Sequence, residues 1–178
     1  MPAGPTRPVN PEMLQQVVSA LAQLVRQHVP SLLPVSVRTY IPLSASALDR
    51  EITWLALAAA KHAVADALSS WGPLLPIVEK DLINQVAGAE VATATQRLRE
   101  YQAAMSIMRS NDALFEVPLG AEGLPYNGNP AHDIGLVFAF LVGATREPLV
   151  PPGGALVFGT TLTTAREMLS TAFGPPHG

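Results

Sequence analysis

The stretch Ala47–Trp71, ALDREITWLALAAAKHAVADALSSW, has almost no water-loving face. At the α-helical period, Leu48, Ile52, Leu55 and Ala59 run down one side. Trp54, Leu57, Val64, Leu68 and Trp71 run down another at three- and four-residue steps, interrupted only by Lys61. A helix that is apolar nearly all round must be covered on more than one side, by its own core, by a partner chain or by lipid. The sequence therefore predicts an all-α fold: a single-domain bundle of five to six helices around a central apolar helix, residues 47–71, with proline- and glycine-rich loops and at most a short extended segment.

Composition narrows what can cover that helix. At 178 residues the chain is long enough to bury roughly 70% of the surface its unfolded form exposes. Hydrophobic residues make up 48% and charged residues only 14%, against about 25% charged in an ordinary soluble domain. The mean hydropathy of +0.26 agrees. Such a chain has ample apolar surface to offset chain entropy, which excludes disorder of the whole. Sparse charge leaves two readings, an unusually compact monomer or a surface covered by copies or a partner, and coverage is the expectation.

No membrane span is predicted. The apolar run Ile134–Ala144, IGLVFAFLVGA, is far shorter than the roughly 20 residues a bilayer requires. Asp49, Arg50, Glu51, Lys61, His62 and Asp66 punctuate the longer helix. The opening MPAGPTRPVNPEM lacks the apolar core of a signal peptide. Without cysteine there is no disulfide, thiolate metal site or cysteine nucleophile. The net charge is −3, and nine arginines and two lysines are spread singly, so nothing resembles the basic patch of an autonomous nucleic-acid binder.

Outward from the central helix, Asn10-Pro11-Glu12 signposts a first helix, closed by Pro30. Val35, Val37, Thr39 and Ile41 alternate between Pro34 and Pro42, which suggests a short extended segment or edge strand. Ser46 with Asp49 is the expected cap of the central helix, and Gly72-Pro73 its stop. A helical pattern then runs from Pro76 to about Arg109, with a register shift that predicts a kink or break at Ala87-Gly88-Ala89. Glu116–Gly128 reads as a turn-rich loop, and Asn129-Pro130 opens a helix to about Thr145. Pro151-Pro152-Gly153-Gly154 reads as a turn and Ala155–Gly159 as extended or irregular. A last short helix is expected from Thr164, with Glu167 completing a capping box. The domain is expected to span residues 1–178, with extended proline-rich termini at about 1–9 and 174–178.

Candidate chemistry is thin. His62 and Asp66, four apart, suit a base held by a carboxylate, but equally a hydrogen bond that satisfies a half-buried histidine, which is the preferred reading. His132-Asp133 decorates a helix first turn, and adjacent residues do not face each other. The four histidines make no metal set, and Gly153-Gly154 lacks the Gly-Lys-Ser/Thr ending of a phosphate loop. No catalytic residue, cofactor or metal is expected. Candidate interface residues are Trp54, Leu57, Val64, Leu68 and Trp71, together with the soft apolar stripe Tyr101, Met105 and Met108. Arg97 and Arg109, repeated per subunit in a polymer, are the candidate nucleic-acid contacts.

The expected function is structural: a helical subunit that buries its apolar surplus against copies of itself, most concretely a virus or phage coat or connector protein. The segment AEVATATQRLREYQAAMSIMRS, Ala89–Ser110, resembles an RNA-side helix of rod-shaped plant-virus coat proteins over those residues alone, and its alanine-rich pattern defines no family. The alternative is an adaptor or chaperone-like module that binds a partner through an apolar groove. A virion location follows from the first reading and a cytoplasmic one from the second.

Overall fold

The computed structural model describes residues 10–110 and 130–174, excepting the side chains of residues 70, 104–110 and 130–132. Among these residues, six α-helices of 12 to 24 residues and one single-turn helix make an all-α bundle. In chain order they are α1 (Pro11–Gln23), α2 (Val35–Arg38), α3 (Ala45–Ala67), α4 (Leu75–Ala87), α5 (Val91–Ser110), α6 (Pro130–Leu141) and α7 (Val150–Phe173). Among the described residues there is no strand.

Helix α3 is the centre. It packs against α4, α5, α7 and the segment that follows α1, while α6 lies against α7 and α1 against α4. Leu48, Ile52, Leu55, Ala56, Ala59, Ala60 and Ala63 are all buried, and so are Trp54, Leu57 and Val64 on the other side. The apolar surplus of this helix is thus covered by its own chain. Three consecutive alanines at 58–60 let neighbours approach closely without strain on the helix.

Local chemistry sets the ends. The Asn10 side chain accepts a 2.9 Å hydrogen bond from the Glu12 amide, ahead of Pro11 at the first helical position. Near its end α1 widens into a π-turn, Leu24–His28, and then a 3₁₀ turn, Val29–Leu32. Pro30 supplies no amide there to continue the ladder. Helix α3 ends at Ala67, and a 3₁₀ turn over Ser69–Leu74 reverses the chain at Gly72, whose φ of 36° suits glycine alone. The expected break falls where the register shifts: α4 stops at Ala87, Gly88 takes φ 53°, and α5 begins at Val91.

Three expectations are corrected. Val35–Ile41 is not extended, because Val37 and Ile41, four apart, are the buried pair, whereas Val35 is 78% exposed. Four-residue burial is helical, and a single turn forms. The α3 cap is Ser44 rather than Ser46, with Ser44 Oγ accepting from the Ala47 amide at 3.3 Å. The largest correction concerns Pro151–Gly159, which is neither turn nor extended but the start of an unbroken α7. Pro151 and Pro152 occupy the first turn, where no amide is needed. Gly153 and Gly154 serve close packing: a Cβ on Gly154 would lie 2.8 Å from the Phe138 ring, and one on Gly153 would lie 2.9 Å from Leu33. The Thr164/Glu167 box accordingly falls inside a helix. The proline-rich ends at 1–9 and 175–178, and the loop read over 116–128, lie outside the described residues.

Candidate functional site

Two clusters of polar side chains on α3 join it to other helices. The first is a groove of about 960 Å³ between the C-terminal halves of α3 and α7, lined by His62, Asp66, Ser69, Arg166, Glu167 and Ser170 among others. Helical spacing puts His62 and Asp66 on one face. His62 Nε2 lies 3.8 Å from Asp66 Oδ2, and Arg166 Nη2 lies 2.5 Å from the same oxygen. Ser69 donates to the carbonyl of Asp66 and Thr171 to that of Glu167, so those two hydroxyls are bonded to their own helices. The carboxylate is shared between a histidine and an arginine in open solvent. That arrangement ties α3 to α7.

The second place is a seam between α3 and α5. Glu51 is an acid in the first half of the apolar helix, and Arg97 reaches it across 46 residues of sequence, Nη2 to Oε1 at 2.7 Å. The other end of the guanidinium meets Glu100 at 2.6 Å. Burial works against the arginine charge, but the hydrogen bonds and charges of Glu51 and then Glu100 outweigh it and hold Arg97 above its usual range. Tyr101, one turn on from Arg97, is 1% exposed. Burial, and then the Glu51 carboxylate, push its phenol far above the ordinary tyrosine value. Glu51 Oε2, Trp54 Nε1 and Tyr101 Oη are buried with no protein partner. Arg50 adds an exposed bridge to Glu90 at 3.1 Å, beside the α4–α5 break.

The candidate residues are distributed unevenly over this frame. Trp54, Leu57, Val64, Leu68 and Tyr101 lie in the core, where the chain itself covers them. Trp71 is half-buried, edge-on to Phe173 with ring centres 5.1 Å apart. Arg97 is held by two carboxylates, which leaves little of its charge for a phosphate. Met105, Met108 and Arg109 sit on α5, but their side chains lie outside the described residues, as does that of His132 on α6. Asp133 is buried in the first turn of α6. Among the described residues no three potential metal ligands cluster, and no helix is long and apolar enough to cross a membrane.

Glu51, Arg38 and Arg166 were not singled out from the sequence. Arg38 bonds Asp49 at 2.7 Å and the carbonyls of Leu33 and Pro30, fastening the 30–38 segment to the start of α3. An acid flanked by Ile52 and Leu55 was the available signal for Glu51; for the two arginines, with partners 11 and 100 residues away, there was none.

No family model, curated protein or solved structure matches the chain. The fold class and the geometry of its surface are what bear on function.

Proposed function

We propose that the chain is a non-catalytic assembly subunit that associates with copies of itself, most concretely as a coat or connector subunit of a viral particle. The supporting observation is apolar side chains left on the surface at one end of the bundle. A Cβ on Gly143 would lie 3.7 Å from Pro42 Cγ, so the turn before α3 abuts the turn between α6 and α7. Tyr40 and Leu43 flank Pro42 and are exposed; Phe140, 70% exposed, and Leu149 flank the second turn. Val35 stands bare close by in sequence. Among the described residues, five of the eight exposed large apolar side chains belong to these two stretches, the others being Met13, Ile77 and Leu156, and on so lightly charged a chain such a grouping favours association there. This differs from the faces expected from sequence, since the Trp54 side of α3 is already covered. Nucleic acid is not required by this reading.

The test is the mass of the purified full chain in solution across concentration and salt, by light scattering after size exclusion, with absorbance at 260 and 280 nm read together. Dimers or larger species that dissociate on Phe140→Asp support the proposal. A concentration-independent mass of 18.8 kDa rules self-association out and returns the exposed end to the adaptor reading, a partner protein in place of a copy.

A further inference from the structure

We propose that Glu51 Oε2, Trp54 Nε1 and Tyr101 Oη form an enclosed water-binding site in the α3–α5 seam. Glu51 and Trp54 are one turn apart on α3, Arg97 and Tyr101 one turn apart on α5, and the 2.7 Å Glu51–Arg97 bond pins the two turns together. Trp54 and Tyr101 are 2% and 1% exposed, and all three polar atoms lack a protein partner. Buried polar groups are almost always hydrogen-bonded, to protein or to ordered water.

The chemistry of the three atoms selects the occupant. An indole N–H only donates, a carboxylate oxygen only accepts, and a phenol does both. An anion has nothing to donate to Glu51. A metal ion or ammonium has nothing with which to accept from Trp54. The ligand must donate and accept at once and fit between packed helices, and water does so, taking about three hydrogen bonds in such sites. It accepts from Trp54, donates to Glu51 Oε2, and bonds Tyr101 in either sense. The seam is then hydrated, and α5 is held to the core by polar contacts as well as by Ala94 and Leu98.

Two measurements on the full chain test this. The chain has two tryptophans, so Trp71→Phe leaves Trp54 as the single indole in the nuclear magnetic resonance spectrum. A cross-peak between its Nε1 proton and a long-lived bound water is expected. In the otherwise native protein at neutral pH, Tyr101→Phe is expected to lower the melting temperature by roughly 2–4 °C, the loss of one net hydrogen bond in a domain of this size. An indole signal without a bound-water cross-peak overturns the proposal. So does Tyr101→Phe that melts at the same or a higher temperature, because deleting a truly unpartnered buried hydroxyl removes only a desolvation penalty.

Discussion

Two seams of the bundle are closed by opposite means. Between α6 and α7 contact is apolar and close: Gly135 and Gly154 stand where backbones and rings approach each other, with Phe138, Val157 and Phe158 buried alongside. Between α3 and α5 the contact carries an ion pair, a second carboxylate and three buried polar atoms. The first seam is intolerant of volume, because neighbouring backbone cannot move aside. The second is intolerant of unpaired charge, because a carboxylate sits among apolar neighbours. Substitutions that add a methyl and substitutions that remove a charge should therefore separate the two.

The largest effect is expected from Gly135→Ala. In an exposed helix interior this change stabilises by about 1 kcal/mol. Here the new Cβ would overlap the carbonyl oxygen of Pro151 and approach the Ala155 amide to 2.9 Å. Since both obstacles are backbone, α6 and α7 must part, at a cost of about 4 kcal/mol or more. Denaturant unfolding measures it. A neutral or stabilising result would mean that the helices cross more loosely than the glycines indicate.

On the polar side, Arg97→Met keeps much of the side-chain volume and leaves Glu51 without its cation. Breaking a buried pair costs about 3–5 kcal/mol. Arg97 is about a quarter exposed and Glu51 less so, so solvent screening reduces the expected loss to about 2 kcal/mol. Adding Glu51→Leu should restore most of it, since the penalty belongs to the stranded carboxylate rather than to the missing contact. If the double variant is as unstable as the single, the seam depends on the bond itself.

Alkaline titration examines the same seam through Tyr101. Its phenol is raised above the ordinary value of 10.0 by burial and by Glu51. Below pH 10 the tyrosine is neutral in folded and unfolded chains alike, and its contribution is fully present. Above pH 10 the unfolded chain releases the proton while the folded chain retains it, so stability falls by about 1.4 kcal/mol per pH unit. Urea unfolding from pH 8 to 11 should show this slope in the native protein and lose it in Tyr101→Phe. Equal slopes in both would place the phenol in contact with solvent.

How much of this contrast was legible beforehand depends on what each seam is made of. The apolar circumference of residues 47–71 was plain, since burial on every side needs only hydrophobic spacing, and so was the break at Gly88. Asn10 announced α1 because a cap is local chemistry. The close-packed seam was misread where it matters most: Gly153-Gly154 after two prolines has the composition of a turn. Glycine kept for close approach differs from glycine kept for positive φ only once the opposing helix is known. The polar seam was invisible for a related reason, that Glu51 and Arg97 are 46 residues apart. The same blindness made covered residues such as Trp54 and Leu68 look like surface, because a sequence shows that a face must be covered without showing by what.

The smallest effect isolates burial from charge. Arg50 and Glu90 join α3 to the α4–α5 link at 3.1 Å, next door to Glu51 and Arg97. Their side chains are 49% and 44% exposed, and water already solvates both ions. Exposed pairs contribute between zero and about 1 kcal/mol, and they weaken in salt. Arg50→Ala should accordingly cost no more than about 0.5 kcal/mol, and less at 1 M salt. The neighbouring arginine, with the same charge and a similar span, should cost about four times as much in denaturant unfolding. Equal losses from Arg50→Ala and Arg97→Met would show that charge alone holds α5 to α3. The expected disparity assigns the difference to the burial of Glu51, the one carboxylate that the apolar helix α3 carries into its own packing.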